Sequence, residues 1–253
     1  MVDEILIKQS QINIVSVVTN NSSSVVAFSP SDLSGLIAWH KSDVGITIGT
    51  GVATWADQSG NGNDFGQATL GSQPAYNATD AQYNNKPSIS FDGLADSLKI
   101  TNLAYGPMTI ISVCKVTTYP GANGYWYAHG GLEYLYSTTS FSMYTDGRSG
   151  AASAKDYAAN WLVTTTPNIY VRRFDGTSAG DTLRISRSDI SLSTQLAGNP
   201  GTDIVTSDFT LYAYAGGAGT SPGTIAENII YNRSLLTAEV QQVEAYILSR
   251  YNI

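Results

Sequence analysis

The sequence predicts an all-β fold, an antiparallel β-sandwich with one C-terminal helix. Short runs of β-branched and aromatic residues recur along the 253 residues, and clusters of Gly, Asn, Ser and Asp separate them. Almost none of these runs has the 3.6-residue periodicity of a helix. Charged residues form 13% of the chain, roughly half the usual share of about 25%, and 42% hydrophobic content supplies a sizeable core. A single large sandwich is the simplest interpretation.

Ten runs after residue 30 have the composition of strands. They lie at residues 36–40, 88–91, 97–100, 108–116, 125–128, 141–144, 169–174, 182–186, 209–214 and 225–231. Residues 238–249 differ, because an apolar stripe with helical spacing runs through them. The stripe consists of Val240, Val243, Ile247 and Leu248. We expect a helix there, capped by Thr237, with Glu239 in its first turn and its apolar side packed on the sandwich.

The first 30 residues differ from the rest of the chain. They contain three short β-like runs, and the sequence Ser29-Pro30-Ser31-Asp32 then marks a boundary, because Pro restricts the residue before it and Ser and Asp favour turns. We therefore expect residues 1–30 to form an arm or an edge hairpin used for attachment or oligomerisation. Residues 31–253 would form the sandwich.

Composition also excludes several partners. The net charge is −7 and the cations are scattered, which argues against nucleic acid as a partner. The one basic pair, Arg172-Arg173, is expected to be solvated. No signal peptide and no apolar stretch of about 18 residues is present, so we expect synthesis in the cytoplasm and no membrane insertion. The single cysteine, Cys114, cannot form an intrachain disulfide and is expected to be buried.

Five sequence blocks follow one another in a recognisable order. They are residues 36–45 (LIAWHKSDVG), 52–64 (VATWADQSGNGND), 73–76 (QPAY), 86–100 (KPSISFDG then DSLKI) and 225–235 (IAENIIYNRSL). Together they resemble the LamG-like jelly-roll domains of bacterial surface proteins and bacteriophage virion proteins. The resemblance covers residues 32–253 and implies a jelly-roll sandwich of the concanavalin A-like lectin and glucanase type. Such domains bind glycans, mediate adhesion or decorate capsids and tails, so the fold alone does not choose among these roles.

Two enzymatic hypotheses find little support in the sequence. The pattern G-x-S-x-G occurs around Ser178 and Ser221, but neither is followed by a predicted helix, and His40 and His129 precede both serines. We therefore expect both matches to be turns. A glycosidase needs two carboxylates, and the Glu-x-Asp-x-x-Glu strand motif of glucanases is missing. Glu133 is the one glutamate between residues 4 and 227. The sequence thus predicts a protein that is not an enzyme.

A calcium site is a candidate in the loop that follows the second tryptophan. Oxygen-bearing side chains alternate there, and the glycines between them would let the loop curl. The candidate ligands are Asp57, Ser59, Asn61 and Asn63. The twelfth position is Ala68 and supplies no closing carboxylate, so an ordinary tight turn is the alternative. No cofactor is required, and Ca²⁺ is the one candidate.

Aromatic and amide side chains cluster after the fourth predicted strand and along the fifth. Exposed aromatic rings beside hydrogen-bonding groups are typical of glycan-binding surfaces. The candidates are Tyr119, Asn123, Tyr125, Trp126 and Tyr127. Tyr212 and Tyr214 add aromatic rings on one face of another strand. The alternative is that these rings pack in the core, as Trp39 and Trp55 are expected to do.

From these observations and the resemblance we expect a non-enzymatic structural protein of a bacteriophage virion, either a capsid decoration or a tail or fibre accessory. It would join other virion proteins through residues 1–30 or a sandwich face, with weak carbohydrate binding as an additional property. A homo-oligomer is expected, a trimer by analogy with other virion appendages. The alternative is an adhesin or receptor-binding lectin for a cell-surface glycan, and the second alternative is a glycosidase.

Overall fold

A computed structural model shows two antiparallel β-sheets and one C-terminal α-helix. The residues that it describes are 27–117, 124–129, 133–137, 141–145, 153–157, 165–177, 179–191, 193–197, 201–213 and 219–253. The sheets pack face to face, which confirms the predicted antiparallel β-sandwich with one C-terminal helix. Among the described residues, no helix has the length and apolar character needed to cross a lipid bilayer.

The first sheet has eight strands within the described residues. In spatial order they are β15 (Ser188–Asp189), β14 (Thr182–Ile185), β13 (Asn168–Phe174), β8 (Met108–Val116), β18 (Pro222–Tyr231), β6 (Lys86–Asp92) and β5 (Ala75–Asp80), with β1 (Leu36–Lys41) paired to β18. Strand β8 is buried at every position except Lys115. Its nearly continuous apolar sequence follows from this position, because both faces of the strand are covered.

The second sheet has ten strands, counted over the same described ranges. In spatial order they are β16 (Ser193–Ala197), β12 (Ser153–Tyr157), β11 (Phe141–Thr145), β10 (Glu133–Ser137), β9 (Gly124–His129), β17 (Val205–Leu211), β7 (Leu98–Tyr105), β4 (Phe65–Gly66), β3 (Val52–Trp55) and β2 (Ile46–Ile48). Strand β7 pairs with β17 and with β4, so these three strands lie side by side.

A hydrophobic core fills the space between the two sheets. Side chains alternate along β7, so that Leu98 and Ile100 enter this core while Lys99 lies on the opposite face. The aromatic ring of Phe65 lies 5.8 Å from that of Trp55 and 6.1 Å from that of Phe209. Each fully buried side chain of this size contributes roughly 1.5–3 kcal/mol to folding. Burial of these side chains therefore provides most of the free energy that holds the two sheets together.

Helix α1 (Thr237–Tyr251) covers the outer face of the eight-stranded sheet and creates a second core. The predicted helix is confirmed, and its apolar stripe faces the sheet as expected. The buried members of this second core are Trp39, Tyr83, Ile111, Val113, Ile169, Val171, Ala226, Ile229, Tyr231, Leu235, Val240, Val243, Ile247 and Tyr251. Phe28 and Ile253 pack against the same core, so both ends of the described chain lie on the helix side.

The start of α1 differs from the prediction. Thr237 is the first helical residue and does not cap the helix; its Oγ1 accepts a hydrogen bond from Arg173 Nη1 at 3.2 Å. Glu239 caps the helix instead, because its Oε2 accepts the backbone N–H of Leu236 at 2.8 Å. Hydrogen bonds from Arg233 to both carboxylate oxygens lower the pKa of Glu239 to about 2.

The predicted solvated arginine pair is wrong for one member. Arg172 and Arg173 point to opposite faces of β13, as alternation requires. Arg172 is fully buried, and its Nη2 lies 2.8 Å from Oδ1 of the equally buried Asp181. Its guanidinium also lies over the ring of Phe174, 4.7 Å from the centroid. Opposite charge and an aromatic face together compensate the lost hydration of this cation.

A buried carboxylate joins α1 to two strands. Glu227 of β18 is fully buried, and its Oε1 accepts hydrogen bonds from Trp39 Nε1 at 2.6 Å and Tyr246 OH at 3.0 Å. Its Oε2 accepts from Tyr251 OH at 2.8 Å and lies 3.2 Å from Arg250 Nε. Burial raises the pKa of Glu227 above its usual value, while these donors oppose the shift. The carboxylate thus holds β1, β18 and α1 in one arrangement.

The predicted boundary near residue 30 corresponds to a short capped turn. Pro30–Asp32 forms a 3₁₀ turn in which Ser29 N donates to Asp32 Oδ2 at 2.8 Å. The hydroxyl of Tyr231 donates to the carbonyl of Pro30 at 2.9 Å and ties this turn to the sandwich. Residues 1–26 of the predicted arm (1–30) lie outside the described residues.

We expect Glu227→Ala to lower the free energy of unfolding by about 3–5 kcal/mol, because it leaves buried donors and a cation without their acceptor. Urea denaturation followed by tryptophan fluorescence would measure this change. Asp203→Ala is the matched control, since it removes an exposed carboxylate from a loop. Equal stability of the two variants would contradict the role given to Glu227.

Candidate binding site

Two of the five predicted glycan-binding residues lie inside the core. Trp126 and Tyr127 are fully buried and belong to the interior cluster. The pairing of β9 with β10 shifts here, since Tyr127 pairs with Leu135 and Tyr125 with Tyr136, which leaves Trp126 as the extra residue of a β-bulge. A bulge interrupts the alternation of faces, so both rings enter the core. The prediction that they contact a sugar is corrected accordingly.

The other predicted aromatic residues do not form a platform in the described part of the chain. Tyr125 is half-buried, and its backbone N–H donates to Gly219 O at 2.9 Å. Tyr212 is fully buried, stacked on Phe91 at 4.2 Å, and its hydroxyl donates to Thr224 O at 2.9 Å. The remaining candidates lie outside the described residues; they are Tyr119, Asn123 and Tyr214.

The loop of residues 57–63, predicted as a calcium site, is held by hydrogen bonds against β1. Asp57 Oδ1 accepts from Trp39 N and Ser59 N, both at 2.8 Å. Its Oδ2 accepts from Ser59 Oγ at 2.7 Å and Asn63 N at 3.1 Å. A carboxylate offers about four lone-pair positions, and all of these are used. In this arrangement Asp57 has no lone pair free for a metal ion, so its geometry does not favour the predicted Ca²⁺ site.

The amides of the same loop also face the protein. Asn61 Nδ2 donates to Leu36 O at 3.1 Å, and Asn63 Nδ2 donates to Ile37 O at 2.6 Å. Like Asp57, Ser59 and the two asparagines therefore connect the loop to itself or to β1. Within the described residues, no group of three or more His, Cys, Asp or Glu side chains is placed to hold a metal ion.

His40 lies beneath this loop, inside the core. Its Nε2 is 2.9 Å from the carbonyl of Asn63, and its ring packs 4.5 Å from Phe65 and 5.3 Å from Trp55. Burial lowers the pKa of His40 to about 4, although Asp57 opposes the shift. The imidazole is therefore neutral at pH 7, and its Nε2–H donates to the carbonyl. His40 therefore contributes to the packing of the core and to the position of the loop.

A polar cleft of about 450 Å³, the first cleft, lies on the outer face of the ten-stranded sheet. Its base crosses three strands, because Lys99 of β7 pairs with Gly66 of β4 on one side and with Thr210 of β17 on the other. The turn Leu70–Ser72 and the loop at Leu94 form its rim. Leu94 is 84% exposed and provides an apolar edge beside the polar base.

Thr210 has an unusual position in the first cleft. It alternates with the core residues Phe209 and Leu211, so its side chain lies on the outer face, yet it is only 2% exposed. Its Oγ1 has no hydrogen-bond partner among the described residues. A buried hydroxyl without a partner costs about 1–3 kcal/mol. Thr210 therefore lies at the base of the cleft with a donor and an acceptor that the described protein does not use, and a ligand would reach this buried hydroxyl only after a small local shift.

Hydrogen bonds fix the wall beside Thr210. Gln67 Nε2 donates to the carbonyl of Ser97 at 3.1 Å and to its hydroxyl at 3.0 Å, while Gln67 Oε1 accepts from Thr69 N at 3.0 Å. Gln73 Nε2 donates to Gln67 O at 2.9 Å and its Oε1 accepts from Gly51 N at 3.1 Å. The amides thus hold the wall in a fixed shape before any ligand arrives.

A second cleft of about 690 Å³ adjoins the first. Thr54, Asp64 and Thr101 line it together with Lys99. The Nζ of Lys99 lies 2.9 Å from Oδ2 of Asp208, and both side chains are about two-fifths exposed. This hydrogen bond lowers the pKa of Asp208 below its usual value. Lys99 is therefore a paired cation.

A third cleft of about 710 Å³ lies beside α1, near Phe28 and Lys86. Its principal polar groups already stabilise the fold: Tyr246 OH donates to Glu227, and Arg250 pairs with both Glu227 and Asp43. The first cleft differs because Thr210 has a hydroxyl that the described protein does not use. We therefore take the first cleft as the candidate binding site.

The residues of the two enzymatic hypotheses are Ser178, Ser221 and Glu133, and the structure describes them to different extents. Ser221 is buried and is followed by strand β18, so it does not lie at the strand-to-helix turn of a nucleophile elbow. Ser178 lies outside the described residues. Glu133 begins β10, and the description of that strand does not extend to its side chain.

Sequence reasoning missed Thr210, Lys99 and Gln67. The alternation of β7 and β17 was a usable signal, because it places Lys99 and Thr210 on the face opposite the core. It did not show that Thr210 would be covered. The turn Leu70–Ser72 and the loop at Leu94, which the fold brings to this face from elsewhere in the chain, complete the cleft around it.

Comparisons with known proteins identify the fold. No protein-family model and no curated protein matches the chain. Among solved structures, the binding domain of botulinum neurotoxin serotype G has a TM-score of 0.60 and 11% identity, and the match covers 83% of this chain and 51% of that one. The binding domain of Paraclostridial mosquitocidal protein 1 has a TM-score of 0.58 and 13% identity, covering 87% and 53%.

Trypanosoma rangeli sialidase in complex with sialic acid is also similar, with a TM-score of 0.57 and 14% identity over 84% of this chain and 33% of the sialidase. The chain thus spans between a third and about half of the length of these three structures. They share its lectin-like β-sandwich, which supports the resemblance at the level of fold. Identity this low carries no further conclusion.

We expect calcium to leave the stability of the protein unchanged. Because Asp57 has no free lone pair, the melting temperature in millimolar CaCl₂ should stay within about 1 °C of the value in EDTA, whereas a ligand at 100 times its Kd would add about 2.7 kcal/mol. Differential scanning calorimetry would measure this. A calcium-dependent increase that Asp57→Asn abolishes would restore the metal site, and Asp203→Asn is the control.

We expect the stability of the protein to fall between pH 6.5 and pH 4 through His40. Its pKa is about 4 in the folded state and 6.5 ordinarily, so in this range the unfolded chain binds a proton that the folded protein does not. The loss should approach about 3 kcal/mol relative to His40→Gln, which cannot bind that proton. Urea denaturation of both proteins at several pH values would measure it, and parallel curves would contradict it.

Proposed function

We propose that this chain is a non-catalytic carbohydrate-binding β-sandwich, with its binding site in the first cleft. The observation that carries the proposal is Thr210, which lines the base of the cleft and whose buried hydroxyl has no partner among the described residues. A hydroxyl can donate one hydrogen bond and accept two. A sugar, which carries donors and acceptors on neighbouring carbon atoms, matches such a group well.

The rest of the first cleft suits the same ligand. The wall at Gln67 and Ser97 is pre-formed by hydrogen bonds, so these side chains would lose little conformational entropy on binding. The exposed side chain of Leu94 offers an apolar surface for the C–H face of a sugar ring. A few fixed polar groups beside an apolar edge are the usual composition of a small-molecule site.

Comparisons support this proposal at the level of fold. One similar structure is a sialidase described in complex with sialic acid, and two others are described as binding domains of toxins. A lectin-like sandwich that serves for binding in other proteins is a reasonable scaffold for the first cleft. Which ligand this chain takes must come from the chemistry of its own cleft.

A binding role without catalysis is proposed because the cleft carries too few acids. Glycoside hydrolysis ordinarily uses two carboxyl groups that flank the scissile bond. Among the described residues that line the first and second clefts, Asp64 alone carries a carboxylate, and its Oδ1 accepts a hydrogen bond from Asp57 N at 2.8 Å. This arrangement favours binding over hydrolysis.

Placement in a virion stays a prediction from the sequence resemblance. The same holds for attachment through residues 1–30, for virion protein partners, for a homo-oligomer and for the expected absence of nucleic-acid partners. The sequence resembles domains of phage particles and of bacterial surfaces, and a carbohydrate-binding module is compatible with both. The proposed carbohydrate binding in the cleft does not depend on whether the protein belongs to a virion or to a bacterial surface.

We expect Thr210→Val to weaken carbohydrate binding roughly three- to tenfold, because the variant loses about one hydrogen bond to the ligand. A glycan array would first identify a bound sugar, and isothermal titration calorimetry would then compare the affinities. The free energy of unfolding should stay constant or rise, since the variant removes an unpaired buried hydroxyl. This combination separates a binding residue from a structural one.

Thr206→Val is the matched control for this experiment. Thr206 lies on the same strand, is exposed and lines neither cleft, so its variant should bind as the original protein does. A wild-type protein that binds no sugar on a broad array would reject the proposed function. Equal losses in both variants would move the site away from the first cleft.

A further inference from the structure

The first and second clefts are adjacent and share part of their lining. Four residues line both clefts, and they lie on β4, on β7 and in the segment after β4; they are Gly66, Gln67, Ala68 and Lys99. The two clefts therefore meet at these four residues. We call the combined surface the groove.

The groove follows the direction of β7. Ser97, just before this strand, lines the first cleft, Lys99 lines both, and Thr101 lines the second. These three positions are two residues apart, so they share one face, and the distance along the extended chain from first to last is about 13 Å. That length exceeds a single sugar ring. It is suited to several consecutive sugar units.

Glycine keeps the middle of the groove open. Gly66 alternates with the core residue Phe65, so its α-carbon faces outward where the clefts meet. A β-carbon built at this position would come no closer than 4.0 Å to any neighbouring atom, that atom being the carbonyl oxygen of Ala53. The backbone there does not require glycine. A larger side chain would therefore extend into the groove without disturbing the fold.

Charge in the groove favours an uncharged ligand. Lys99 is neutralised by Asp208, and Asp64 adds a negative charge in the second cleft. The whole chain carries a net charge of −7. A polymer of acidic sugars would meet repulsion from these carboxylates, whereas hydroxyl groups of a neutral sugar can bond to Thr210, Thr101 and the ion pair.

We propose that the ligand is an extended, neutral oligosaccharide chain that lies along β7 and occupies both clefts, with one subsite over Thr210, another beside Thr101, and Gly66 and Lys99 at their junction. This inference rests on the proposed function and specifies the class of ligand. Affinity then depends on chain length, because a chain that crosses the junction gains the contacts of the second subsite. A single sugar gains only those of the first.

The experiment measures binding of neutral oligosaccharides of two to six units, from β-1,4-glucan, β-1,4-mannan, β-1,4-xylan and α-1,4-glucan, by isothermal titration calorimetry. For the series that binds, the wild-type protein should bind the hexamer at least about tenfold more tightly than the dimer. Gly66→Val should remove most of this gain by obstructing the junction. Oligomers of galacturonic acid serve as the acidic comparison.

Ala104→Val is the matched control. Ala104 is exposed on the same strand, β7, and lines neither cleft, so this variant should keep the full dependence on chain length. The melting temperature of each variant shows whether it is folded. If Gly66→Val were unfolded, Thr101→Ala would replace it, since that variant shortens a side chain of the second subsite only.

The outcomes separate this inference from the proposed function. Dimer and hexamer binding with equal affinity, both weakened by Thr210→Val, would leave the carbohydrate site in place and overturn the extended chain. Tighter binding of the galacturonic acid series than of any neutral series would overturn the neutral ligand. Failure of every oligosaccharide and of the glycan array would overturn the proposed function itself.

Discussion

The buried carboxylate of Glu227 is the contact on which the arrangement of this sandwich depends. It receives hydrogen bonds from Trp39 on β1 and from Tyr246 and Tyr251 on α1, and it pairs with Arg250. Any sliding of the helix would leave a charge without partners in an apolar environment, which is costly. The helix therefore stays over the eight-stranded sheet. The outer face of the ten-stranded sheet, where the first cleft lies, is not covered by this helix.

Local periodicity was enough to predict much of this fold. The helix followed from the spacing of Val240, Val243 and Ile247, because a 3.6-residue period can bury only one side of a helix. The strand predicted at residues 97–100 likewise lies at the start of β7. These predictions were correct because each depends only on the residue pattern within one segment of the chain.

The sites depended on contacts between distant segments and were predicted poorly. Trp126 and Tyr127 enter the core together because a bulge breaks the alternation of β9, and no residue type marks that bulge. Asp57 has the spacing of a calcium ligand, but its oxygens are used by backbone groups that the fold brings to it, one of them from Trp39. Thr210 has the sequence pattern of an ordinary strand threonine, and its burial depends on tertiary contacts that the pattern does not show.

Both ends of the described chain lie against the helix, with Phe28 and Ile253 packed on the second core. The groove lies on the opposite side of the sandwich. A segment that attached the protein to another structure through either of these ends would therefore lie on the helix side. The groove would then face away from the point of attachment. If the groove binds an extended oligosaccharide as proposed, several copies held close together would bind one polymer chain at the same time, and the complex would dissociate much more slowly than that of a single copy.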